Sequence, residues 1–202
     1  MAITTYAELQ TSMESWLGHT LYTDQLPDFI TVFEAAANRR LRTRYQETTA
    51  TITTSSGAGS LPSDYLAWRR VTWQGSTRVE LEWIEPDYLQ MSYPTDSQGV
   101  PQAFTIEGST LYARPIDDTA SITMLYFAKI PALSASNTTN WLLTAHPDVY
   151  LFGSMLESQM FGVNDERMPV WKSRRDEIFD EIERLSNRSR GVGGMRAVGA
   201  TP

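Results

Sequence analysis

Apolar positions recur at helical spacing near both ends of the chain and at alternating spacing through its middle. The densest apolar run extends from Asn140 to Phe161. Pro147 suits a first helical position, where its missing N–H costs nothing, and Asp148 then faces the positive end of the helix dipole. The pattern predicts a helix over about 147–162. Val149, Phe152, Leu156 and Met160 form one face, with Leu151 and Met155 as a second strip, so apolar side chains cover most of the circumference. Such a helix is expected to be central, with Trp141, Pro147, Val149, Phe152 and Leu156 as core residues. A membrane span would need about 20 apolar residues, and Ser154, Glu157, Ser158 and Gln159 interrupt this run.

Three further helices follow from the same spacing. Thr5 and Glu8 form a capping-box pattern ahead of Tyr6, Leu9, Met13 and Trp16, and Gly18 offers a stop, giving a helix over about 5–18. Leu26-Pro27-Asp28-Phe29 opens a second, about 27–43, with an apolar stripe through Ile30, Phe33, Ala37 and Leu41. Trp171, Ile178, Ile182 and Leu185 recur among charged residues and predict an amphipathic helix over about 166–186.

The region of about 45–131 has a different rhythm. Thr, Val, Trp and Tyr alternate between turn residues, which predicts five or so short strands. In Arg78 to Trp83, Val79, Leu81 and Trp83 alternate with charged residues, so these three are expected on one buried face. Pro86-Asp87 opens a short helical piece. The predicted fold class is α+β: a helical bundle core, made of an N-terminal helix pair and two C-terminal helices, with an antiparallel β insertion and an extended C-terminal arm. Residues 1–186 form the domain and 187–202 the flexible basic arm.

Composition narrows the chemistry. The absence of cysteine removes disulfides, thiolate metal sites and thiol nucleophiles. The start of the chain lacks the basic and apolar regions of a signal peptide, which points to synthesis and use in the cytoplasm. The net charge is −7, and setting aside the +3 carried by Arg188, Arg190 and Arg196 leaves −10 on the body. An acidic body argues against a generic nucleic-acid binder.

Catalytic patterns are weak. The nucleophile elbow, the phosphate-binding loop and the metalloprotease His-Glu-x-x-His are absent, and with only His19 and His146 no metal or other cofactor is expected. His19 reads as a helix cap. His146 is the best single imidazole candidate, and with carboxylates such as Asp117-Asp118 or Asp176-Glu177 it would define a small acid–base hydrolase. Arg39, Arg40, Arg42 and Arg44 either complement a helix C-terminus or form a phosphate-binding patch, which would define a nucleic-acid-binding module.

Taken in order, several motifs resemble the head-to-tail adaptor (connector) proteins of tailed bacteriophages. They are Thr5-Tyr6-Ala7-Glu8-Leu9 with Trp16-Leu17, Leu26-Pro27-Asp28-Phe29-Ile30 leading to Asn38-Arg39-Arg40-Leu41-Arg42, and Leu61-Pro62-Ser63-Asp64-Tyr65. Thr139-Asn140-Trp141-Leu142-Leu143, the run from His146 to Gly153, and Asp165-Glu166-Arg167 with Trp171 complete the set. The resemblance implies a virion structural protein without catalysis, found at the head–tail interface and assembled in the host cytoplasm. It further implies a dodecameric ring under the portal that extends the DNA channel and serves genome ejection. The implied partners are the portal protein, a downstream tail or nozzle protein, further copies of the chain and, transiently, translocating DNA, with no membrane. Arg188, Arg190, Met195 and Arg196 in the arm are the implied portal-binding residues.

Overall fold

The computed structural model describes residues 3–18, 22–158 and 166–191. The chain divides into two compact units, one of Met1–Tyr45 with Ile130–Pro202 and the other of Gln46–Lys129. Among the described residues there are six helices and eight strands, the strands in two four-stranded sheets. This corrects the expected helical bundle with a β insertion: the β region is a substantial unit with its own core. The structural reason is that two sheets bury their inner faces against each other, so that unit needs no helical layer to cover it.

In the first unit, α1 (Tyr6–Leu17) begins with both halves of the capping box, Thr5 accepting from the Glu8 N–H and Glu8 accepting from Thr5. Gly18 ends it at φ 73°, a left-handed cap that glycine adopts at no steric cost. Helix α2 (Leu26–Arg40) buries Leu26, Phe29, Ile30, Phe33, Glu34 and Ala37. Helix α4 (Trp141–Ala145) is a short turn of helix capped by Asn140, whose side chain accepts the Leu143 N–H. It stops at His146 because a residue before proline is pushed out of the helical region, and α5 (Pro147–Glu157) restarts there. Helix α6 (Met168–Gly191) continues past Ser186, so the segment from Asn187 to Gly191 is helical. The predicted Met160 and the residues after Ser158 in the 147–162 helix lie outside the described residues, as does His19.

The core of this unit joins Leu9 and Met13 of α1 to the apolar face of α2, to Val149, Tyr150, Leu151 and Met155 of α5, and to Trp171, Phe179 and Ile182 of α6. Val149 is fully buried, whereas Trp141, Pro147, Phe152 and Leu156 are half-buried. Tyr150 is the largest fully buried side chain. Gly153 lets α5 press on α2: a Cβ there would sit 2.1 Å from the Phe33 ring.

In the second unit, strands β1 (Glu47–Thr53), β3 (Tyr65–Gln74), β4 (Arg78–Glu80) and β8 (Ser121–Ala128) form a sheet in the order β1-β8-β3-β4. Strands β2 (Ala58–Ser60), β5 (Glu82–Trp83), β6 (Ala103–Glu107) and β7 (Thr110–Arg114) form the other, in the order β2-β7-β6-β5. Ile52, Val71, Ile122, Met124 and Tyr126 from the first sheet meet Phe104, Leu111 and Ala113 from the second in one core. All pairings are antiparallel except β5 with β6, which is parallel.

The stretch Arg78 to Trp83 is not one strand. Leu81 donates its N–H to Val71 of the first sheet, and Glu82 then donates to Gln102 and enters the second sheet. The chain therefore changes sheets between Glu80 and Glu82. Alternation is preserved only within a sheet, so Leu81 is buried while Trp83, expected inside, is 47% exposed. Helix α3 (Pro86–Ser92) follows directly and buries Leu89.

Candidate interaction surfaces

A buried polar chain fixes the segment that returns from the β unit to the helices. Asn38 accepts the Ile130 N–H at 2.8 Å, and Glu34, one turn earlier on α2, accepts the Leu133 N–H at 2.9 Å. Tyr150 donates its hydroxyl to the same Glu34 oxygen at 3.0 Å and accepts from the Asn140 amide at 2.6 Å. Asn140 also donates to the Pro131 carbonyl. Burial pushes the Glu34 carboxyl above the ordinary carboxylate range, because a charge is costly away from water, while the Leu133 and Tyr150 hydrogen bonds pull the other way. Burial, reinforced by the neighbouring Glu34, pushes the Tyr150 hydroxyl up. This network positions backbone; nothing in its composition suggested it, since its members are spread from residue 34 to residue 150.

The Arg39–Arg44 cluster is divided among different partners. Arg40 reaches across to α6, with Asp176 at 3.2 Å, Asp180 at 2.5 Å and Glu183 at 3.4 Å, and its guanidinium lies 4.8 Å from the centre of the Phe179 ring. Arg42 turns back to the Asn38 and Leu41 carbonyls at the end of α2. Arg44 covers the ring of Tyr45, which itself stacks on Trp141 at 5.3 Å. Arg39 is exposed. Cations committed to carbonyls, carboxylates and rings do not make a common phosphate patch, and the dipole-complementing role fits their placement better.

The residues considered for acid–base work have structural roles of their own. His146 is half-buried at the start of α5 and makes no capping bond. Asp117 organises a turn, accepting from the Trp73 indole N–H at 3.0 Å and from the Thr119 N–H, and Asp118 accepts from Gln98. Asp176 pairs with Arg40 and Arg175, and Glu177 with Arg174. Asp64 accepts the Tyr126 hydroxyl at 2.9 Å; burial, helped by that carboxylate, pushes the tyrosine up to about 12.

Among the described residues, three surfaces stand out. The outer face of the first sheet is a polar groove of about 610 Å³ lined by Thr51, Arg70, Thr72, Arg78 and Thr123 among others. At the corner where β5 leads into α3, Trp83, Tyr88 and Met91 are exposed. On α6, Leu185 is 51% exposed beside Arg184 and Arg188, near the end of the described chain. Arg190 lies in the last turn of that helix, and Met195 and Arg196 lie outside the described residues.

A helical unit and a two-sheet unit, each with its own core, thus make up the described chain. A family model described as SU10 adaptor protein matches residues 4–198. The chain belongs to that family of phage head-to-tail adaptors and is a phage structural adaptor, a virion component associated with portal and tail parts. None of the curated proteins compared with the chain matches it.

Proposed function

We propose that this protein forms a ring, dodecameric as such adaptors are expected to be, beneath the portal of a tailed phage. The ring extends the DNA channel, receives the next tail component and carries the genome during ejection. The observation that supports this reading is the family match, which runs from residue 4 to residue 198 and so includes the basic end of the chain. Arg188, Arg190, Met195 and Arg196 address the portal in this reading, continuing from a helix whose final turns expose Leu185 and Arg188. An acidic body would repel phosphate and let translocating DNA slide with only transient contact.

The test is the native mass of the particle formed on mixing the protein with its portal, for the full chain and for chains ending at Gly191 and at Ser186. A ring-sized complex for the full chain and its loss on truncation are the expected results. A persistent monomer that ignores the portal overturns the adaptor ring. Unchanged binding by both truncated chains overturns only the role of the arm.

A further inference from the structure

Within the two-sheet unit the two outer faces differ. On the second sheet, Tyr112 and Arg114 line one groove with Leu89 of α3, while Leu111 and Ala113, which alternate with them, belong to the core between the sheets. Helix α3 therefore lies on the outer face of that sheet, where Ala103 and Thr105 are buried. The outer face of the first sheet has no such cover among the described residues. Strand pairing lines up Thr51, Thr123 and Thr72 across it, with Leu125 and Arg70 in the row before and Arg78 in the row after. These side chains line the groove of about 610 Å³.

The charges of these opposite faces are complementary. Arg69 pairs with Glu47 and Arg114 with Asp96, but Arg70 and Arg78 are exposed and have no ionic partner among the described residues. Glu80 is the carboxylate lining the same groove, so arginine is in excess there. On the α3 side Glu85 and Asp87 are exposed and equally unpaired, and no lysine or arginine occurs from Val79 to Ala113. Tyr88, at 60% exposure, and Met91, at 76%, project from α3 three positions apart and so on one face. Two copies meeting through the same face would set arginine against arginine or carboxylate against carboxylate, which is repulsive. Pairing of the unlike faces joins opposite charges, and repeated head to tail it builds a ring when the rotation closes. We infer that the open face of the first sheet is the seat for α3 of the next copy; this rests on the ring reading given above. Arg70 and Arg78 take the carboxylates of Glu85 and Asp87, while Tyr88 and Met91 settle in the groove against Leu125 and the threonine methyl groups.

The experiment measures the native mass of the full-length protein mixed with its portal, and it exchanges charges. Arg70→Glu with Arg78→Glu, and Glu85→Lys with Asp87→Lys, should each weaken ring assembly about tenfold or more. Mixing the two double variants should restore it, because each supplies the face that the other has lost and the altered faces are again opposite in charge. A chain carrying all four substitutions should likewise form rings with itself. All four positions are exposed, and circular dichroism checks the fold of each variant. Should the reversed arginine pair unfold, Arg70→Gln with Arg78→Gln takes its place and must weaken assembly in the same way. Rings that form unchanged from either double variant overturn the inference, as does a loss that neither mixing nor the fourfold chain repairs. If the unaltered protein forms no ring with its portal, the ring reading itself fails; if it forms one that ignores the exchange, only this contact is wrong.

Discussion

Tyr150 donates its hydroxyl to Glu34 across 3.0 Å, joining helices whose two residues are 116 positions apart. Both side chains are almost wholly buried, so each is the other's replacement for water. Tyr150→Phe removes the donor to Glu34 and the acceptor for the Asn140 amide at once, leaving two buried groups short of a partner. The expected cost is ~1 to 3 kcal/mol in unfolding free energy, measured by urea titration. Asn140→Ala should cost a similar amount, because it also removes the cap of α4. If Tyr150→Phe unfolds at the same urea concentration as the parent, the network has no energetic role.

The same carboxyl gives a signed pH dependence. Burial raises the folded Glu34 above its unfolded range, so the folded state holds this proton more tightly than the unfolded one. The contribution is fully present below the unfolded carboxylate range and is lost as pH rises through the folded value. Glu34→Gln keeps an oxygen for the Leu133 N–H and the Tyr150 hydroxyl but cannot ionise. It should flatten the stability profile across that window and equal or exceed the parent at neutral pH. Stability measured from pH 4 upward, parent against variant, decides the matter; parallel profiles would exclude Glu34 as the titrating group.

Glycine inside a helix usually costs stability relative to alanine, by about 0.5 to 1 kcal/mol. At Gly153 the sign should reverse. An added methyl would meet the Phe33 ring at 2.1 Å, and that ring cannot step aside, because Tyr150 packs edge-on at 5.0 Å and Phe179 stacks at 6.2 Å. The overpacking cost of ~1 to 3 kcal/mol therefore outweighs the propensity gain. Gly153→Ala should lower the melting temperature by several degrees, whereas a rise would mean that the two helices can separate freely at this point.

These residues also mark where sequence was informative. Helix starts and stops were legible because their causes are local: Thr5 with Glu8, Gly18, and prolines at first-turn positions are all within a few residues of what they do. The apolar run around Val149 announces a buried helix, yet nothing in it singles out Tyr150, its largest fully buried side chain, because a tyrosine at that spacing carries no mark of a partner on α2. In the β region, alternation reported which face a residue takes but not which sheet it belongs to. The crossing at Leu81 moved Trp83 outward and turned a supposed insertion into a two-sheet unit. The arginine cluster was readable as composition only. Its division among Asp176, Asp180, Phe179 and Tyr45 depends on α6 and on backbone direction, which no local pattern encodes.

Arg40 allows that last point to be tested. Its guanidinium is about one-third exposed and meets three carboxylates of α6, so each pair is partly screened by water and salt. Surface pairs of this kind contribute from nothing to about 1 kcal/mol apiece, and the cation over the Phe179 ring adds about 0.5 to 1 kcal/mol. Removing Arg40 also takes the cation from Asp180 and Glu183, which lie with Asp176 along one side of the helix, while Asp176 keeps its pair with Arg175. Arg40→Met, which keeps the apolar stem over the ring, should therefore cost ~1 to 2 kcal/mol at low ionic strength and much less in molar salt. Arg39→Met, with an exposed side chain on the same helix end, should be near neutral in both. Thermal melts of both variants at two salt concentrations separate the alternatives. Equal effects at the two positions would mean that the arginines act as a general basic patch, and a salt-independent loss at Arg40 would assign its role to packing alone.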